Sequence, residues 1–177
     1  TLADSSIDGI IMSVAKETLK TQDFHHIQET IDFGIPVVLF DRVLNDIACD
    51  KVIVDDKTGA EKAVQSLLDK GCRNILLVST QDYINVGKLR TQGYLEALKK
   101  NHIIADNRLI IKAQDLKNPE QAVFELEKQI DQTIGGNSAI DGIFCVNEIY
   151  AAAALKVLNK RKIHVPNDIS IICFTDG

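Results

Sequence analysis

What this sequence lacks narrows its function before any motif is read. No block of Lys and Arg stands out, and 20 basic residues are outweighed by 25 acidic ones, for a net charge of −5 and a pI near 5.3. Nucleic acid is therefore not expected to bind this stretch directly, because phosphate contacts need clustered cations. No apolar run approaches ~18 residues, so no membrane-spanning helix is expected. No signal peptide is visible. The four cysteines, Cys49, Cys72, Cys145 and Cys173, show no CxxC spacing, and no Cys/His pair is spaced for zinc. The sequence also has no G-x-G-x-x-G, P-loop, G-x-S-x-G or H-E-x-x-H. Without a recognisable nucleophile and base, the expectation is a protein that is not an enzyme and carries no cofactor or metal.

What is present suits a substantial core: 177 residues, 45% of them apolar. The pattern is clearest in the last third. An apolar run at 142–146 is short enough for a buried strand, and an Ala-rich helical stretch follows at 149–158. Val165-Pro166-Asn167-Asp168 stops that helix, and residues 169–174 make a second apolar strand. Strand, covering helix and strand form the βαβ unit of a parallel sheet. Cys145 and Cys173 fall inside these strands, where a free thiol behaves as a small hydrophobe. Four reduced thiols would favour a cytoplasmic setting.

The rest of the chain repeats the pattern. Strands are expected at 7–14, 37–40, 51–54, 74–79 and 109–112. Helices are expected at 23–33, 57–69 and 86–100, with another from Asn118-Pro119, where proline suits the first turn. Val86, Leu89, Gly93 and Ala97 are expected inward on the third of these. Gly135-Gly136 reads as a helix stop and not a phosphate cradle, because no strand precedes it. His25-His26 are expected to face solvent. The class is α/β with parallel sheets. Strands 37–40 and 51–54 follow one another with no room for a crossover helix, so a boundary is placed at Val54-Asp55. Residues 55–177 hold four strands and four helices; residues 1–54 hold three strands and one clear helix, too few to cover both faces of a parallel sheet.

Several short words, in this order, resemble the effector-binding domain of bacterial transcription regulators of the LacI/GalR family. They are Gly34-Ile35-Pro36-Val37-Val38 with Phe40-Asp41-Arg42; Val54-Asp55-Asp56 with Gly59-Ala60; and Gly71-Cys72-Arg73-Asn74-Ile75. Arg90-x-x-Gly93-Tyr94-x-x-Ala97-Leu98 follows, then Asn147-Glu148 after its strand, and Val165-Pro166-Asn167-Asp168-Ile169-Ser170. The resemblance implies two doubly wound lobes of the periplasmic-binding-protein-like type I, with a small effector in the cleft between them. It makes residues 1–54 part of the N-terminal lobe and 55–177 the C-terminal lobe, ending at an inter-lobe crossover: a partial domain. It also implies a homodimer that reaches DNA only through an N-terminal helix-turn-helix, for which this sequence has no counterpart. A periplasmic sugar-binding protein, which shares the architecture, is the alternative, and a doubly wound enzyme a more distant one.

The resemblance points to five ligand-binding residues, three of which have a plainer reading. Arg90 offers bidentate donors to hydroxyls or carboxylates, or is an ordinary solvated arginine. Asn147 can hydrogen-bond a sugar or a base edge, and can equally cap the helix after it. Glu148 reads as a first-turn helix charge. Asp41, at a strand tip, is either a cleft residue or half of a surface ion pair with Arg42. Thr175 stands where the family's sugar- and purine-binding members carry an aspartate. Asp176, one place on, either substitutes for it or marks a different effector class.

Overall fold

A computed structural model describes residues 7–174; Thr175 and Asp176 lie outside the described residues. Contacts divide the chain into two compact units. The smaller comprises residues 1–55 with 83–86, and the larger residues 56–82 with 87–177.

In the smaller unit three parallel strands lie in chain order: β1 (Ile10–Met12), β2 (Val37–Phe40) and β3 (Asp50–Val52). Period-two alternation sends Ile10, Met12, Val37 and Leu39 to one face. There they meet Leu19 of helix α1 (Lys16–Thr21) and Ile27 of α2 (His25–Asp32), with Val43, Ile47 and Tyr83 completing the core. The other face shows Ile11, Phe40 and Val52, 75, 43 and 66% exposed. Helix α1 is not expected from the sequence, because KETLKT offers one buried apolar side chain, Leu19, and hence no periodicity. Strand β1 is also shorter than the 7–14 run suggests. His25 and His26 are exposed, as expected, and His25 Nε2 lies 3.1 Å from Glu29.

The larger unit is a four-stranded parallel sheet in the order β5-β4-β6-β7, with β4 Ile75–Ser79, β5 Ile110–Lys112, β6 Gly142–Cys145 and β7 Ser170–Cys173. Helices α3 (Asp56–Asp69) and α4 (Asn85–Lys100) cover one face; α5 (Pro119–Gly136) and α6 (Glu148–Lys160) cover the other. Strand β4 is buried throughout, as its apolar run ILLV predicts for a sheet covered on both sides. At the opposite end from the strand tips, the Asp141 carboxylate accepts from the backbone amides of Arg73 and Asn74 at 2.8 and 2.9 Å. This pins the start of β4 beside the start of β6.

Two details differ from the sequence reading. On α4 the interior stripe is Gly87, Gly93, Tyr94, Ala97 and Leu98, while Val86 and Leu89 are half-buried. Tyr94, 1% exposed, is accommodated because its hydroxyl donates to the Ile75 carbonyl at 2.9 Å. Gly93 faces helix α3: an added Cβ would lie 2.3 Å from the Lys57 carbonyl oxygen and 2.8 Å from Ala60 Cβ. Gly135 and Gly136 do not stop α5 but form its last residues, with Asn137 as the cap. Asn118 caps its start, accepting from Glu120 and Gln121 amides.

Candidate functional site

Strand β4 leads to α4 on one face of the larger sheet, and neighbouring β6 leads to α6 on the other. The winding therefore reverses between β4 and β6, and the carboxyl ends of these strands are where open parallel sheets take ligands. The residues just past these ends are Thr80 after β4, Val146 and Asn147 after β6, and Phe174 after β7.

Arg90 reaches this edge from the second turn of α4. Its Nε–H donates to Asp56 Oδ1 at 2.8 Å, and Nη1 donates to the Val146 carbonyl. The guanidinium carbon sits 3.9 Å from the centroid of the Phe174 ring, a cation–π arrangement. Both charged side chains are largely withdrawn from water, 14% exposed for Arg90 and 6% for Asp56. Arg90 is thus not a solvated surface arginine. Two of the five N–H donors of a guanidinium are accounted for by Asp56 and Val146.

Phe174 can lie under Arg90 because position 59 has no side chain. A Cβ on Gly59 would come within 2.5 Å of Phe174 Cε2. Asn147 performs the capping role: its Oδ1 accepts from the Tyr150 amide at 2.9 Å at the start of α6. Burial raises the Tyr150 phenol above its ordinary range; the Asn147 side chain opposes that shift and the nearby Asp115 carboxylate adds to it. Arg90 and Asn147 meet at one point of the chain, since Arg90 holds the carbonyl immediately before Asn147.

A second polar group lies beyond β4 and β5. The Ser79 and Thr91 hydroxyls share a hydrogen bond of 2.9 Å, and Lys112 Nζ donates to Thr91 Oγ1 at 2.9 Å and to Asp82 Oδ1 at 2.8 Å. Gln81 donates to the Ala113 carbonyl at 2.8 Å. Gly87 permits close approach here as well, because a Cβ would overlap Thr80 Oγ1. At the first residue of α4, Asn85 Oδ1 is buried without a hydrogen-bond partner.

Asp41 belongs to the smaller unit. It lies just past β2 with φ of 56°, and its carboxylate accepts from Arg42 Nη1 at 3.2 Å and Ser13 Oγ at 3.5 Å. Arg42 Nε also donates to the Val14 carbonyl at 2.8 Å, and the local ion pair, one of the two readings of Asp41, is present.

Sequence reasoning missed Asp56 as the partner of Arg90, placing it in a family word, and read Phe174 only as a strand end. No spacing signal links positions 56, 90 and 174. Lys112, Thr91 and Asp82 were likewise not singled out. Ser79, a polar residue closing an otherwise apolar strand, is the one signal that pointed there. Among the described residues no group of three or more His, Cys, Asp or Glu is placed to hold a metal, and no helix is long and apolar enough to cross a membrane.

The winding and its covered faces define a doubly wound α/β protein. Residues 64–177 match the periplasmic binding protein-like domain family, and the chain belongs to that family. Among curated proteins it is 26% identical to the probable HTH-type transcriptional repressor ExuR of Bacillus subtilis, over 96% of this chain and 48% of that protein. It is 33% identical to the HTH-type transcriptional regulator GalR of Escherichia coli, over 79% of this chain and 39% of that protein. The chain thus spans about half the length of these relatives, or less, and both are named as regulators rather than enzymes. A crystal structure of a LacI-family sugar-binding transcriptional regulator from Escherichia coli, complexed with phosphate, superposes with a TM-score of 0.78 at 22% identity. That match covers 99% of this chain and 60% of that one, and it bears on the fold alone. The resemblance to LacI/GalR regulators read from short sequence words is thereby established.

Proposed function

We propose that this chain is the ligand-sensing part of a LacI-type transcription regulator and binds a small sugar or related polar metabolite. Residues 1–54 contribute to an N-terminal lobe, and residues 55–177 form the C-terminal lobe. Arg90 carries this reading: a guanidinium held at the strand tips beside the winding reversal, oriented by Asp56 and Phe174, is preorganised to donate to a ligand oxygen. Asn147 contributes a second polar side chain, and Asp41, Thr175 and Asp176 complete the candidate set. Ligand would favour one arrangement of the two lobes in a cytoplasmic homodimer. That preference would be passed to helix-turn-helix segments, like those that name the relatives, so that ligand and DNA affinities are coupled reciprocally.

The reading is tested by screening the intact protein against neutral sugars, sugar acids and nucleobases by thermal shift, then measuring operator binding with and without the hit. A ligand that raises the melting temperature and changes DNA affinity supports it. A ligand that binds equally well to Arg90→Ala places the site elsewhere.

A further inference from the structure

Resting on the effector reading above, we infer that Asp56 sets the charge class of the ligand: the site at Arg90 selects a neutral polyhydroxylated molecule and rejects its carboxylate counterpart. A guanidinium at a binding edge ordinarily suggests an anionic ligand, since planar bidentate donors match a carboxylate. Here that cation already has its anion. Asp56 Oδ1 lies 2.8 Å from Arg90 Nε, and the two side chains are 6 and 14% exposed, so the pair enters any complex as a neutral unit. A ligand carboxylate brought to this guanidinium would stand close to the Asp56 carboxylate where little water screens the repulsion. A hydroxyl brings no such charge and still accepts from the guanidinium N–H groups.

The surroundings point the same way. Lys112, a further cation at this edge, is matched by Asp82 at 2.8 Å and bound to Thr91. Phe174, stacked on the guanidinium, supplies an aromatic and not a charged wall.

Calorimetry on the intact protein with matched pairs, D-glucose with D-glucuronate and D-galactose with D-galacturonate, tests the inference. The parent should bind a neutral sugar at least about tenfold more tightly than its uronate. Asp56→Asn, which keeps an acceptor for Arg90 but removes the charge, should shift that ratio by about tenfold or more toward the uronate, roughly the effect of one pK unit of charge interaction. Asp56→Glu, retaining the charge, should keep the neutral preference, so the inference stays testable even where Asp56→Asn folds poorly. A parent that binds a uronate as tightly as the neutral sugar, through Arg90 as judged by loss in Arg90→Ala, overturns the charge assignment and leaves the effector reading intact. Failure of every probe to bind, or binding indifferent to Arg90→Ala, overturns the sugar-binding reading itself and the inference with it.

Discussion

Arg90 and Asp56, 34 positions apart, form a nearly buried ion pair in which Arg90 Nε donates to Asp56 Oδ1 at 2.8 Å. Asp56 is the first residue of the larger unit in chain order, and the Phe174 ring beneath Arg90 is the last described residue before the chain leaves β7. One side chain on α4 therefore ties together the start of α3, the tip of β6 and the exit of β7.

Arg90→Ala should consequently do two things. It should weaken ligand binding by about 1.5–3 kcal/mol, the value of a charge-assisted hydrogen bond. It should also destabilise the fold by ~3–5 kcal/mol, the cost of removing one partner of a nearly buried ion pair. Denaturant unfolding of Arg90→Ala, Asp56→Ala and the double variant checks this. The double variant should be less destabilised than the sum of the singles.

Asn147→Ala should cost ~1 kcal/mol of stability through loss of the cap on the Tyr150 amide. Asn147→Asp keeps a capping oxygen and should retain most of that stability. A change in ligand affinity with Asn147→Asp at preserved stability then separates binding from capping.

Gly93→Ala should destabilise by about 1–3 kcal/mol despite the higher helix propensity of alanine. The methyl meets the backbone oxygen of Lys57 and Ala60 Cβ, so α3 and α4 must move apart. An increase in melting temperature would contradict this packing.

The thiols should separate by reactivity. Burial, with Cys173 alongside, raises the Cys145 pKa well above its ordinary 9.0, and burial with the nearby Asp141 charge raises Cys72. The thiolate is the reactive form, so native protein at pH 8 should label first at half-buried Cys49 and Cys173, with Cys72 and Cys145 slow; denatured protein should label at all four. The same shifts fix a sign. A buried thiol that holds its proton in the folded state contributes stability below about pH 9, and that stability is lost as pH rises further. Tyr94, raised by burial from 10.0, acts in the same direction. Mass spectrometry of the labelled sites and an alkaline stability profile check both statements.

Much of this fold was legible because buried parallel strands announce themselves. ILLV and GIFC are apolar without interruption, and their helices carry apolar stripes with caps such as Asn118 and Asn147. Helix α1 was not legible because one buried leucine sets no period. Tyr94 was not among the residues expected inward, because its interior position depends on a carbonyl 19 residues away. Residues 83–86 group with the smaller unit through long-range packing that no local pattern encodes. Arg90 and Asn147 were singled out from short family words, whereas Asp56 was missed because an ion pair across 34 residues leaves no periodic trace.

The seat of Phe174 over Gly59 also constrains how such a sequence can drift. Any side chain at position 59 must displace the ring, and any residue smaller than phenylalanine at position 174 leaves space that a methyl at 59 would fill. The two positions are thus expected to change together or not at all across descendants of this chain. Arg90 is the third member of the set, because the aromatic face that orients it would disappear in the same step.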